Sequence, residues 1–212
     1  MLGQHGRGIT RALFTAPARG LARIGVTPNM LTVAGTVATI AVAVLTLPQG
    51  RFILGPVLLA AVLIGDSFDG ILARLTGTSS SFGAFLDSTM DRLADGAVFG
   101  SLAVWAALHL QAGPLRTWTV AIAVTTVVLA AAVPYARARA ESVGATAAVG
   151  IAERTDRLVI TAVGVLAVGL GAPAWVLTVA LALVAVGSLI TVIQRVVTVH
   201  RQLTRPAAEA RP

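Results

Sequence analysis

Four aspartates are concentrated in the stretch GDSFDGILARLTGTSSSFGAFLDSTMD, which covers residues 65–91. Asp66 and Asp69 are three residues apart and Asp87 and Asp91 are four apart, so on helices each pair projects from a single face. Four carboxylates this close could not all stay ionised unaided, because their negative charges repel. Either protons neutralise some of them, as in a proton-coupled carrier, or divalent metal ions lie between them.

All-oxygen ligands favour hard cations such as Mg²⁺ or Mn²⁺ over zinc. Two such ions side by side would clamp a phosphate group and stabilise both the attacking and the leaving oxygen. A purely structural alternative is that the aspartates pair with Arg74, Arg92 and other arginines in a buried ionic network. Since ionisable clusters at membrane depth are expensive and usually functional, we favour a metal-dependent enzyme over this network and over a proton or cation carrier.

The composition predicts an integral membrane protein. The chain has 212 residues, of which 56% are hydrophobic and 12% charged, with a mean hydropathy of +0.86; a soluble domain would need far more polar surface. All sixteen basic residues are arginine, and nine acids leave a net charge of +7. Such a balance can indicate nucleic-acid binding, but this hydropathy favours a membrane surface or anionic lipid substrates and no nucleic-acid partner.

The apolar stretches predict an all-α, polytopic membrane protein with six transmembrane helices, because crossing about 30 Å of hydrocarbon takes about 20 helical residues. The six predicted spans are residues 29–47, 52–75, 82–110, 115–141, 157–171 and 173–203. Thr27 is expected to cap the first span, with Pro28 at the first helical position. Residues 29–203 would form the transmembrane domain, between a basic segment at 1–28 and a disordered tail at 204–212.

Within the N-terminal segment, residues 11–25 predict an amphipathic helix lying in the headgroup region. Leu13, Phe14, Leu21 and Ile24 fall roughly on one face, with arginines elsewhere, the pattern of an interfacial helix. The alternative is a basic, partly disordered tail.

The arginines predict the orientation in the cell membrane. With six spans, fourteen of them fall on the face that holds both termini, and only Arg51 and Arg116 fall on the other. The positive-inside rule makes the first face cytoplasmic. The acidic segment lies around the loop between the second and third spans, so it opens toward the cytoplasm as well.

The acidic segment resembles the signature of the CDP-alcohol phosphotransferase family, which reads D-x-x-D-G-x-x-A-R, eight residues, then G-x-x-x-D-x-x-x-D. Every fixed position is matched in type and spacing, by Asp66, Asp69, Gly70, Ala73, Arg74, Gly83, Asp87 and Asp91. The resemblance implies a six-helix transmembrane bundle, usually a homodimer.

The resemblance also implies a two-metal mechanism with Mg²⁺ or Mn²⁺. Asp66, Asp69 and Asp87 would hold one ion, and Asp66, Asp87 and Asp91 the second. Asp91 would also be the general base, taking a proton from an alcohol that attacks the β-phosphorus of a CDP-linked lipid and expels CMP. The positions implied to contact CDP-diacylglycerol are Asn29, Met30, Leu31, Thr32, Gly70, Arg74 and Ser80.

A second set of residues indicates which alcohol could be the acceptor substrate. The runs PYARARAE at 134–141 and IAERTDR at 151–157, with Arg195 near the end of the last span, place Arg137, Arg154 and Arg195 on three different elements. These three could converge on one anion, since a guanidinium fork suits phosphate oxygens; ordinary flanking charge is the alternative.

This pattern resembles the bacterial phosphatidylinositol phosphate synthases within the family, where a Lys-Ala-Arg-Ala-Glu run follows the fourth span; here Arg137 stands at the lysine position. The resemblance implies that Arg137, Arg154 and Arg195 bind inositol phosphate. The implied reaction joins 1D-myo-inositol 3-phosphate (inositol 1-phosphate) to the phosphatidyl group of CDP-diacylglycerol, giving phosphatidylinositol phosphate and CMP. A phosphatidylglycerophosphate synthase using glycerol 3-phosphate is the nearest alternative, because charge does not separate the two. A membrane cation or proton carrier is the alternative from another class.

Overall fold

The computed structural model describes Gly20 and residues 25–76 and 80–204, with only the backbone described for residues 66–76. This part of the chain contains six α-helices and no strand. The helices are α1 (Pro28–Thr46), α2 (Leu54–Thr76), α3 (Ser81–His109), α4 (Pro114–Ser142), α5 (Arg154–Gly169) and α6 (Trp175–Thr204), with a 3-10 turn at Leu47–Gln49 after α1. The predicted all-α class is confirmed, and every helix end lies within three residues of its predicted position. The predicted interfacial helix and C-terminal tail fall almost wholly outside the described residues.

Side-chain caps set the helix starts that matter for the site. Thr27 is extended and its hydroxyl accepts a hydrogen bond from the Met30 N–H at 3.3 Å, with Pro28 at the first helical position, as predicted. At α5 the main-chain N–H of Glu153 donates to the Asp156 carboxylate at 3.0 Å. This polar cap starts α5 three residues before the predicted start, because hydropathy does not register a charged first turn.

Three helical segments are long and apolar enough to cross a membrane, among the residues described: Pro28–Gln49, α4 and α6. Over Leu54–Gly65, α2 is a shorter apolar helix. The first half of α3 carries charged residues, and α5 has 16 residues, about 24 Å at 1.5 Å per residue. Large apolar side chains on the outside, such as Leu108, Val128 and Leu170, are more than half exposed, as expected for a protein that faces lipid. The six-span arrangement itself stays a prediction.

Each helix packs against one or two others, and the arrangement leaves a space between α2 and α5. The closest pairings are α4 with α6, α3 with α4, and α1 with both α2 and α3, while α5 lies mainly on α6. Phe99, Leu102 and Leu181 are completely buried at the centre. A Cβ added at Gly164 of α5 would lie 2.5 Å from the Cβ of Ala180, so a glycine is what lets α5 lie against α6. Because α5 touches α2 at only a few points, a space remains between them.

The connection between α4 and α5, residues 143–153, is fastened to α6 by polar side chains. Arg195 donates from Nε to the Val149 carbonyl at 2.9 Å. The Gln202 amide accepts from the Thr146 N–H at 2.9 Å and donates to its carbonyl at 2.7 Å. Satisfying these main-chain groups fixes the position of the loop, and hence the point at which α5 begins.

Thr191 is the third fastener, and we expect Thr191→Val to loosen the loop. Its hydroxyl, 1% exposed, accepts from the N–H groups of Ile151 at 3.2 Å and Ala152 at 3.1 Å. Valine keeps the shape but cannot accept, so the free energy of unfolding should fall by about 1–3 kcal/mol. Thermal unfolding in detergent and amide exchange at residues 151–152 would measure the effect.

The control is Thr46→Val, because the buried Thr46 hydroxyl donates within its own helix, to the Val42 carbonyl at 2.6 Å. It should leave exchange at residues 151–152 unchanged. Unaltered exchange there in Thr191→Val would show that the loop does not depend on this fastener.

Candidate active site

The acidic motif is divided between two helices. Asp66 and Asp69 fall in α2, one turn apart along its backbone, and Asp87 and Asp91 fall one turn apart in the first half of α3. The helical spacing expected for both pairs is therefore present. The side chains of residues 66–76 lie outside the described part, so the meeting of the two pairs stays a prediction.

The donor chemistry fits a hard divalent cation, because the motif offers carboxylate oxygens from one face of a helix. Among the described side chains there is no group of three or more His, Cys, Asp or Glu residues that could hold an ion. Two of the four predicted ligands, Asp66 and Asp69, are not among those side chains. Of the other two, Asp87 is exposed on α3 and the Asp91 side chain is 19% exposed.

Asp91 is held in a network of arginines. Its Oδ1 lies 2.6 Å from Arg154 Nη1, and its Oδ2 lies 3.3 Å from Arg92 Nη2. One turn further along α3, Asp95 receives Arg154 Nε at 3.1 Å on Oδ1 and Arg157 Nη2 at 3.2 Å on Oδ2. Arg154 therefore bridges two carboxylates. At Asp91, the pairing of acids with arginines that was the structural alternative to metal binding is present.

Asp95 and Arg157 are site residues that the sequence reasoning missed. They are 3% and 2% exposed, and Arg157 also donates from Nη1 to the Ala152 carbonyl at 3.2 Å. A detectable signal existed in the spacing, because Asp95 follows Asp91 by four residues and Arg157 follows Arg154 by three, which keeps each on its partner's helix face. Buried charges of this kind persist only when paired and hydrogen-bonded.

Two arginines donate to backbone carbonyls of α4 near a proline in that helix. They belong to a layer of charged side chains around Asp91 and Asp95. Pro134 lies inside the helix and has no N–H for the carbonyl of Ala130, four residues earlier. Arg92 Nη1 donates to that carbonyl at 3.4 Å, and Arg195 Nη1 donates to the neighbouring carbonyl of Val133. The Ala130 carbonyl that Pro134 leaves without a helical donor is thus satisfied by a side chain from α3, and a side chain from α6 adds a donor to the Val133 carbonyl.

The three arginines predicted to bind the alcohol's phosphate have different surroundings. Arg154 is paired with Asp91 and Asp95, whereas Arg195 is buried between backbone carbonyls of α4 and the α4–α5 loop. Arg137 is exposed and pairs with Glu141 at 3.1 Å. Convergence of all three on an anion stays a prediction.

The predicted CDP contacts in α1 and before α3 come together. Asn29, Met30, Leu31 and Thr32 form the first turn of α1. The Ser80 hydroxyl caps α3 by accepting from the Gly83 N–H at 3.0 Å, and a Cβ at Gly83 would lie 3.2 Å from Asn29 Oδ1. The start of α1 therefore meets the start of α3 at a glycine of the motif. Gly70 and Arg74 lie in α2, with side chains outside the described part.

A cavity of about 550 Å³ lies between α2, α3 and α5. Asp95 and Arg154 line one end, and most of the remaining wall is apolar. The apolar lining includes Leu59, Leu63, Val98, Leu158, Val159, Ala162 and Val165. A charged end and apolar walls suit an amphiphilic molecule, whose headgroup and chains need different surroundings.

A family model and individual relatives both match this chain over most of its length. Residues 25–184 match the model of the CDP-alcohol phosphatidyltransferase family. The chain is 41% identical to the phosphatidylinositol phosphate synthase of Streptomyces avermitilis, over 95% of this chain and 84% of that protein. It is 39% identical to the phosphatidylinositol phosphate synthase of Mycobacterium tuberculosis, over 94% of this chain and 92% of that protein.

Solved structures of the Mycobacterium tuberculosis phosphatidylinositol phosphate synthase share the fold. The structure with CDP-DAG bound has a TM-score of 0.83 at 37% identity, covering 95% of this chain and 98% of that chain. The structure in complex with manganese and citrate has a TM-score of 0.82 at 37% identity, covering 94% and 93%. The resemblance carried by the acidic motif is thereby confirmed: the chain belongs to the CDP-alcohol phosphatidyltransferase family.

Proposed function

We propose that this chain is a phosphatidylinositol phosphate synthase, which transfers the phosphatidyl group of CDP-diacylglycerol to inositol 1-phosphate and releases CMP. The observation that carries the proposal is its likeness to proteins of that name over almost its whole length, at 41% identity for the Streptomyces relative. The layer of arginines around Asp91 and Asp95 supports an anionic acceptor, because guanidinium groups bind phosphate oxygens in pairs.

In the proposed mechanism, Asp66, Asp69, Asp87 and Asp91 hold two divalent ions, Mg²⁺ or Mn²⁺. When bound, the ions supply positive charge to the diphosphate oxygens; manganese is present in a solved relative. Asp91 accepts the proton of the inositol hydroxyl, whose oxygen attacks the β-phosphorus as the bond to CMP breaks. A general base must lie within hydrogen-bond reach of that hydroxyl, and its place on α3, next to Arg154, puts Asp91 beside the group expected to hold the acceptor.

The cavity between α2, α3 and α5 is proposed to take the acyl chains. Its charged end, at Asp95 and Arg154, lies at the level of Asp91, so a lipid with its chains in the cavity would present its diphosphate near the acidic motif. The predicted CDP contacts, Asn29 to Thr32, Gly70, Arg74 and Ser80, would hold the nucleotide. Hydrophobic burial of the chains and polar contacts at the headgroup orient the substrate together.

The proposed setting is the cell membrane, with six spans in one domain at residues 29–203 and the site and both termini facing the cytoplasm. The distribution of arginines supports this orientation, and three apolar helices of spanning length support membrane insertion. The basic segment at 1–28 would lie at the membrane surface, and residues 204–212 would form a disordered tail. A homodimer is proposed from the family resemblance.

A substrate panel tests the function. Purified protein with CDP-diacylglycerol and Mg²⁺ or Mn²⁺ should release CMP with inositol 1-phosphate, and EDTA should abolish release. Free inositol is the matched control for the phosphate. Product with glycerol 3-phosphate alone would identify a phosphatidylglycerophosphate synthase, and cation or proton flux across proteoliposomes without CMP release would identify a carrier.

Asp91→Asn should lower the rate of CMP release by about 10²–10⁴-fold, the usual contribution of a general base. The side chain keeps its shape but loses a proton acceptor and an anionic ligand. Asp156→Asn is the control, because Asp156 is an exposed acid in the first turn of α5 and an asparagine oxygen can still accept from the Glu153 N–H that Asp156 now caps. Full turnover in Asp91→Asn would exclude Asp91 as the base.

Filling the cavity should weaken binding of the lipid substrate selectively. Ala162→Phe places a ring in the cavity, and we expect the KM for CDP-diacylglycerol to rise about tenfold, equivalent to about 1.4 kcal/mol, with the KM for inositol 1-phosphate unchanged. Val163→Phe is the matched control, because the neighbouring Val163 is 61% exposed on the outside of α5. Equal effects of the two variants would show that the chains bind elsewhere.

A further inference from the structure

Asp95 has no part in the acidic motif, yet it is the most deeply buried carboxylate among the described residues. Its Oδ1 accepts from Arg154 Nε at 3.1 Å and its Oδ2 from Arg157 Nη2 at 3.2 Å, with Arg92 Nη1 at 4.0 Å. Each carboxylate oxygen therefore has a guanidinium donor. Removing a partner from a carboxylate at this depth would leave a buried charge uncompensated, so its contacts are strongly constrained.

The two arginines that reach Asp95 both come from α5, and α5 has little other contact with α3. Its backbone packs on α6, and the cavity lies between α3 and α5, with Asp95 and Arg154 at its charged end. The long arginine side chains span this gap. The ion pairs of Arg154 and Arg157 with Asp95, together with that of Arg154 with Asp91, thus connect α5 to α3.

The same contacts fix the direction of Arg154. Asp95 accepts a hydrogen bond from its Nε, and Asp91, one turn earlier on α3, lies 2.6 Å from its Nη1. Two contacts therefore orient the guanidinium group. Nη2 has no hydrogen bond to any described residue. Arg92, Arg154 and Arg157 surround the two carboxylates, and a guanidinium group has further N–H donors that can bind an anion.

We propose that Asp95 is a positioning residue for the acceptor: it holds Arg154 in the orientation that receives the phosphate of inositol 1-phosphate, and Arg157 balances its charge. This role rests on the proposed function, in which Arg154 binds that phosphate. Asp95 itself touches neither substrate. Its effect is to preorganise a guanidinium fork, so that the acceptor does not have to order a free arginine side chain on binding.

The test compares two Michaelis constants in Asp95→Asn. Asparagine keeps the shape but removes the charge that orients Arg154, so the KM for inositol 1-phosphate should rise about 10–100-fold, the range found when the outer partner of a metal ligand is lost. The KM for CDP-diacylglycerol should not change. In a double-mutant cycle, Asp95→Asn should add little to Arg154→Gln, because both remove the same oriented guanidinium group. Asp156→Asn is the control for loss of an acid near this helix start.

A second variant separates positioning from stability. Removing one partner of a buried ion pair destabilises a protein, whereas replacing both with apolar residues is often tolerated. The double variant Asp95→Leu, Arg157→Met should therefore fold, and its KM for inositol 1-phosphate should stay raised, because Arg154 has still lost its anchor. A merely structural role for Asp95 predicts instead that this double variant regains the wild-type KM.

The outcomes distinguish this role from the function on which it rests. Wild-type protein that releases no CMP with inositol 1-phosphate overturns the proposed function and the role of Asp95 with it. An active wild-type enzyme overturns the role alone if Asp95→Asn leaves the acceptor KM unchanged or raises both KM values equally. A selective rise in both Asp95 variants supports it.

Discussion

The cost of burying charge in an apolar bundle is the constraint on which this site depends. Asp95 and Arg157, 3% and 2% exposed, are each other's partners, and Arg154 and the Ala152 carbonyl add further contacts, although Arg157 Nε has no hydrogen-bond partner among the described residues. Removing either partner would leave an uncompensated buried charge, which is strongly destabilising. That pairing and the Arg154–Asp91 ion pair join the first turn of α5, where Arg154 and Arg157 lie, to α3. The basic residues of α5 are therefore held against α3 by ion pairs, while the α4–α5 loop and the packing of α5 on α6 set where the helix lies.

The need to pair buried polar groups applies to the backbone as well. Pro134 leaves a carbonyl of α4 without its helical donor, and in hydrocarbon such a group must be satisfied within the protein. Arg92 and Arg195 supply donors to α4 and, in the case of Arg195, also to the α4–α5 loop. Arginines that the sequence offers as candidate phosphate ligands or flanking charge thus also donate to the backbone of neighbouring elements.

Sequence patterns predicted what depends on local order. Apolar length and turn residues placed every helix end within three residues, and the spacing of the aspartates gave both their helix faces and the family. The start of α5 was misplaced because a charged capping turn carries no hydropathy signal. The spacing of Asp95 and Arg157 indicates that they share helix faces with Asp91 and Arg154, but their pairing is a contact across 62 residues of sequence, which local spacing does not show. The cavity likewise depends on how α5 leans on α6 through Gly164, a tertiary property.

The charged layer and the apolar cavity are informative only in combination. A layer of guanidinium and carboxylate groups would suit many phosphate compounds, and an apolar cavity would suit many lipids. Here Asp95 and Arg154 belong to both, since they line the end of the cavity and adjoin Asp91. A molecule that satisfies both surroundings at once must carry its phosphates directly beside its hydrocarbon chains. A lipid-linked diphosphate, as in the CDP-DAG bound to the solved Mycobacterium tuberculosis relative, has this combination of phosphates and hydrocarbon chains.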